Sequence, residues 1–183
     1  MVRPERYNDN EIISTYLETS NITVYCHGPV GTRVFTNFME QTGTQTTLGF
    51  VKPYMWAGLT KVLTDRTHIL VLRDPVEQHA HAAYLHGVSI HEVNRKRENM
   101  FYHTHLAPHL AAAHIAEFDF YIPFEKLGEF LFDYEAPAAP IFSSQLIGLE
   151  DELDAYNYIQ ENKMELKVSQ WRDLIMRGQL DSI

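Results

Sequence analysis

A single cysteine, Cys26, in 183 residues leaves nothing with which to form an internal disulfide. No apolar run reaches the length needed to cross a bilayer. The opening MVRPERYNDNE lacks the apolar centre of a secretory signal. Together these absences predict a reducing, cytoplasmic setting without a membrane partner. Positive charge is also scarce: 15 Lys and Arg stand against 24 Asp and Glu, for a formal net charge of −9. Nucleic-acid surfaces are basic, so no nucleic-acid partner is expected. Two glycine signatures are missing too. Gly-x4-Gly-Lys-Ser/Thr fails because Thr32-Arg33 follows Gly31 where a lysine is needed. Gly-x-Gly-x-x-Gly, the dinucleotide fingerprint, does not occur. A P-loop nucleotide kinase is therefore disfavoured.

What is present describes a globular chain, 45% hydrophobic and 21% charged. The length fits one domain over 1–183, with a core over 20–135 and a helical segment over 150–178. The first 20 residues read as a polar lead and a short helix, with Ile12, Ile13, Tyr16 and Leu17 on one face. Strands are expected at Ile22–Cys26, Thr46–Val51, His68–Leu72 and Phe118–Ile122. HILVL, residues 68–72, is a continuous apolar run of the kind found in buried parallel strands. Helices are expected over 33–42, over 54–63 with Met55, Leu59 and Val62 inward, and over 75–87. Further helices are read from the capping box Ser89-Ile90-His91-Glu92, from Pro108, and after Pro123. Helices over 150–161 and 168–176 close the chain, the last anchored by Trp171. Ala136 to Pro140 reads as a stiff connector. Strands alternating with helices predict an α/β domain of three layers with a mostly parallel central sheet flanked by helices. Ligands in such sheets sit beyond the carboxyl ends of the strands.

Two stretches meet that edge. NITVYCHGPVGTRVFTNFM, residues 21–39, reads as strand, glycine-bearing turn and helix. Thr32 suits the N-cap, and Val34, Phe35 and Phe38 follow at helical spacing. The free amides of a helix opening there favour an anion. An ordinary βα turn fits the same residues. Arg73 leaves the strand 68–72, with Asp74 as N-cap and Pro75 in the first helical turn. Its guanidinium can grip a phosphate with two hydrogen bonds. His81, two turns further on, shares nearly the same face. A structural bridge from Arg73 to Asp74 or Glu77 is the other reading.

Taken together, these stretches resemble the sulfotransferase family, whose members use 3′-phosphoadenosine 5′-phosphosulfate (PAPS). The likeness rests on the strand–loop–helix at 21–39, on VLRDPVEQHAHAAY at 71–84, on HLAPHL at 105–110 and on FDFYIPFEKLGEFL at 118–131. The last two are similar to segments of the carbohydrate-sulfotransferase branch. The resemblance covers about residues 20–135, and Arg-Asp-Pro is its most specific motif. It implies a P-loop-NTPase-like fold and transfer of a sulfuryl group from PAPS to a hydroxyl of a small molecule or glycan, with no metal. It places the 5′-phosphosulfate in the loop Gly28, Pro29, Val30, Gly31, Thr32 and Arg33. The 3′-phosphate falls to Arg73 and His81. Two departures stand out. Pro29 occupies the position of the family's loop lysine, and His81 that of a serine. Lys52, at a strand end, is the candidate replacement for the lysine. His27, His103 and His105 are the candidate bases for the acceptor hydroxyl, with His105 favoured by its place in HLAP. Loss of the loop lysine supports an alternative: a catalytically impaired relative that keeps the fold for binding or assembly.

Ten histidines invite a metal reading. His79, His81 and His86 are too spread, and Pro108 separates His105 from His109, so no metal site is expected. Ser143-Ser144 lacks the glycines of a hydrolase nucleophile elbow.

Overall fold

The computed structural model of the chain describes residues 15–19, 21–28, 30–85, 115–131 and 150–180. Its strands are β1 (Thr15–Glu18), β2 (Ile22–Cys26), β3 (Thr47–Phe50), β4 (Thr67–Leu72) and β5 (Phe120–Pro123). Its helices are α1 (Thr32–Gln41), α2 (Trp56–Val62), α3 (Pro75–Leu85), α4 (Leu127–Phe130), α5 (Glu150–Asn162) and α6 (Val168–Leu180). Short 3-10 turns, Pro53–Met55 and Phe124–Lys126, lead into α2 and α4. The class is α/β, on one five-stranded mixed sheet in the order β3-β1-β2-β4-β5. The pairs β2–β4 and β4–β5 are parallel. β1 runs antiparallel to both β2 and β3.

β1 corrects the short helix expected near the start at Tyr16 and Leu17; Ile12 and Ile13 lie outside the described residues. Over four residues, helical and strand spacing cannot be told apart, and pairing on both sides decides for the strand. The turn into β2 is closed by the Thr19 amide on the Ile22 carbonyl at 2.8 Å and by the Ile22 amide on the Thr19 hydroxyl at 3.1 Å. Leu17 is fully buried as a result. On the edge strand, Gly49 stands opposite Tyr16, whose ring lies where a Cβ would stand.

β2 and the body of β4 are buried on both faces, so their runs are mostly apolar, with Thr23 and His68 as buried polar exceptions. Alternate residues divide between two clusters. Ile22, Val24, Cys26, Ile69 and Val71 pack with Phe35 and Met39 of α1, Leu127 and Phe130 of α4, and Trp171 and Ile175 of α6. Tyr25, Leu70, Leu72 and Tyr121 pack with Trp56 of α2 and Tyr156 and Ile159 of α5. Trp171 meets Phe35 edge to face at 5.8 Å between ring centroids. In α2 the inward face matches expectation only at Leu59, which packs against the second cluster. Trp56 and Thr60 are buried, whereas Met55 and Val62 are 45% and 76% exposed. The indole is the largest apolar surface in the segment, and its burial sets the helix rotation.

β5 would be an open edge, but Met164 to Leu166 runs along it. The Tyr121 amide donates to the Met164 carbonyl at 3.0 Å, and the Leu166 amide to the Tyr121 carbonyl at 2.8 Å. An ion pair of Lys126 with Glu165, at 2.8 Å, clips the same segment from the surface. No helix among the described residues is long and apolar enough to cross a membrane. The helices read from Ser89 and Pro108, the connector at 136–140 and Ser143-Ser144 lie outside the described residues.

Candidate functional site

β2 and β4 pair in parallel, with Tyr25 opposite Leu70, and β4 and β5 with Leu72 opposite Pro123. The loop after Cys26, Arg73 and Phe124 therefore leave the sheet along one edge. The sequence places charge and glycine on that edge, and the fold brings them together.

Gly28 and Gly31 hold φ of 70° and 87°, which side chains with a Cβ rarely adopt. The Val30 amide turns back onto the Gly28 carbonyl at 2.8 Å. Gly31, not Thr32, is the N-cap of α1. Its carbonyl takes the first helical bond, from the Phe35 amide at 3.0 Å. This corrects the expected cap: the left-handed backbone at Gly31 starts the helix one residue early and buries Thr32. The Thr32 hydroxyl bonds instead to Cys26, whose thiol burial pushes up to about 12. The amides of Arg33 and Val34 precede the first intrahelical bond, which gives this end of α1 its positive character.

Asp74 caps α3 as expected. Its carboxylate accepts from the Val76 amide at 2.8 Å and the Glu77 amide at 3.1 Å. The cap turns the chain so that Arg73 lies under the helix, 3% exposed. Nη1 of Arg73 donates to Nδ1 of His81 at 2.7 Å, and the guanidinium carbon stands 4.1 Å from the centroid of the Phe124 ring. A guanidinium only donates, so His81 accepts at Nδ1 and carries its proton on Nε2. Burial, and after it the Arg73 charge, holds His81 down to about 4. At neutral pH the imidazole is an uncharged donor beside a buried cation. Arg66, at the opposite end of the sheet, is ion-paired with Glu18 and with Asp65.

The loop and α3 are tied directly. Nε2 of Gln78 donates to the His27 carbonyl. A Cβ on Gly28 would stand 3.0 Å from that nitrogen. His27 itself is 3% exposed, its ring edge-on to Trp56 at 6.4 Å.

Of the residues singled out in the sequence, Gly28, Val30, Gly31, Thr32, Arg73, His81 and His27 lie at this edge. Arg33 is exposed on the first turn of α1. Lys52 is exposed after β3, and β1 separates β3 from β2. Two strand spacings put Lys52 about 10 Å from the loop. Pro29, His103 and His105 lie outside the described residues, as does the side chain of His79. Among the described residues no three His, Cys, Asp or Glu side chains converge as metal ligands do. Sequence reasoning missed Gln78 and Phe124. Gln78 stands three residues before His81 and so shares its helix face, a signal that was available. Phe124 follows a strand expected to lie beside HILVL, but neighbouring strands cannot be ordered from sequence alone.

The chain matches no family model, no curated protein and no solved structure.

Proposed function

We propose that this chain is a sulfotransferase-like protein that binds PAPS, or its product 3′-phosphoadenosine 5′-phosphate (PAP), along the carboxyl edge of the sheet. The finer fold reading belongs with this proposal: a P-loop-NTPase-like arrangement of three layers whose site-bearing strands are the parallel ones. The supporting observation is the juxtaposition of two anion-directed features. A loop with left-handed glycines opens α1, and Arg73, held by His81 and Phe124, leaves the neighbouring parallel strand.

The residues present fit a ligand with two anionic ends. Gly28, Gly31, Thr32 and Arg33 would receive the 5′ end, with backbone amides at the opening of α1. Arg73 would grip the 3′-phosphate, and the Nε2 proton of His81 could add a donor. Phe124, with its ring centroid 4.1 Å from the guanidinium carbon, shields one side of it from water. PAPS supplies an activated sulfuryl group for a hydroxyl acceptor, from a small molecule or a glycan. His27, His103 and His105 remain the candidate bases and Lys52 the candidate cation.

A second reading has its own support. Lys52 is exposed and lies beyond β1, and Pro29 brings no charge to the loop. A crevice of this kind holds an anion better than it stabilises charge on a departing phosphate. The alternative is accordingly a catalytically impaired binding or structural protein with the same ligand.

Thermal unfolding and calorimetry with PAP, ATP and GTP check the ligand. PAP at 100 times its dissociation constant should add about 2.7 kcal/mol of stability, and the triphosphates less. Arg73→Ala should weaken PAP by about 2–3 kcal/mol and leave adenosine 5′-phosphosulfate, which has no 3′-phosphate, nearly untouched. No shift with millimolar PAP would remove the binding reading.

A further inference from the structure

We propose that Gln78 is a positioning residue that couples the Gly28–Gly31 loop to Arg73, so that the crevice receives a doubly anionic ligand as one site. The inference rests on the anion-binding reading above. Gln78 is 3% exposed, an unusual place for an uncharged amide unless both its packing and its bonding are used. Its Nε2 donates to the carbonyl of His27, the residue at which β2 gives way to the loop. The same nitrogen closes over Gly28, where an added Cβ would meet it at 3.0 Å. Gly28 therefore serves two needs: the left-handed φ of 70° and the close approach of α3.

The other end of the connection lies within α3. The Gln78 amide bonds to the Asp74 carbonyl at 2.9 Å, closing the first turn, and the Asp74 carboxylate caps that turn. His81 follows one turn on and meets Arg73 at 2.7 Å. A continuous path runs from the His27 carbonyl through the Gln78 side chain and one turn of helix to His81 and the guanidinium. The two anion-directed features belong to different strand–helix units, and this amide bridges them. An anion that orders the loop thereby also fixes the first turn of α3, and one gripped by Arg73 fixes the loop. A ligand with both groups then meets a site ordered once rather than twice.

The experiment uses the full chain with Gln78→Met, which keeps length without a donor, and Gln78→Glu, whose carboxylate cannot donate to a carbonyl. Amide hydrogen exchange is read first. The Val30 amide should exchange at least about tenfold faster in both variants, while Ile69 and Val71 in β4 keep their rates. Calorimetry is read second. PAP should lose about tenfold or more in affinity, and adenosine 3′-phosphate, which engages Arg73 alone, less than about threefold. Unchanged Val30 exchange in both variants, or equal losses for the two nucleotides, overturns the role of Gln78. Failure of the unaltered chain to bind either nucleotide overturns the anion-binding reading instead, and Val30 exchange still decides whether Gln78 holds the loop. Should neither variant fold, native-state exchange of the unaltered chain decides. The Val30 and Gln78 amides must open with one free energy, and separate openings refute the coupling.

Discussion

At the scale of single residues, the informative pair is Arg73 and His81. Eight positions apart in sequence, they meet because a helix returns to nearly the same face every two turns. That meeting was legible from VLRDPVEQHAHAAY. The protonation state was not, since it depends on burial that only the packed fold supplies. Its consequence for stability has a definite sign. His81 sits near 4 in the folded chain and at the ordinary 6.5 when unfolded. Between those values the unfolded chain takes up a proton that the folded chain refuses. Stability from this group is therefore complete above pH 6.5 and is lost as pH falls toward 4. Urea unfolding at pH 7 and pH 5 should show the loss, and His81→Gln should make it smaller. Pro29 carries the other residue-level expectation. Backbone amides bind an anion without a lysine, so the natural chain should bind PAP yet transfer sulfate slowly. Introducing Pro29→Lys should raise turnover more than affinity, the pattern of a contact made in the transition state. Pro29→Ala is the control for loop loosening, and turnover no faster with lysine than with alanine would assign the charge to another group.

At the scale of elements, the sequence was most readable where local chemistry and tertiary demand agree. The β2 strand, α1, β4, α3 and the closing helices all lie close to where their patterns put them. Asp74 is the clearest case, a cap read from Arg-Asp-Pro and found bonded to two amides of α3. Asp74→Ala should cost about 1 kcal/mol in urea denaturation, and Asp74→Asn, which keeps an accepting oxygen, much less. A loss equal in both would mean that charge rather than capping is at work. The elements that misled were short. Thr15 to Glu18 has too few residues for periodicity to decide, and pairing with β2 and β3 settled it. Around α2 the spacing of Met55, Leu59 and Val62 suggested one inward face; Leu59 does pack against the core, but the indole of Trp56 leaves Met55 and Val62 exposed. At Gly31 the left-handed backbone displaced a good cap, Thr32, by one position, because a positive φ outweighs a modest side-chain preference.

At the scale of the whole molecule, a chain of formal charge −9 buries the guanidinium of Arg73 at the carboxyl edge of its sheet. The parallel pairing that makes this edge also buries Cys26 completely between sheet and α1. Burial keeps the thiol protonated far above neutral pH, and the thiolate is the form that reacts. Cys26 should therefore resist a maleimide or disulfide reagent at pH 8 in the native chain. It should react at the rate at which the sheet opens, slower still if PAP binds. Rapid native labelling, at a rate near that of a free thiol, would show that β2 and α1 separate far more readily than their packing implies.

The strip Met164 to Leu166 along β5 sets an order of events during synthesis. β5 leaves the ribosome well before the residues that cover its outer side. Until α5 and the strip arrive, the nascent chain lacks the partners that the described residues give the Tyr121 amide and carbonyl, and an uncovered strand border recruits other strands. A strip made after the strand it borders is thus a guard against self-association. A ribosome stalled, or a protease cutting, just before residue 164 would release a nearly complete sheet with an adhesive side.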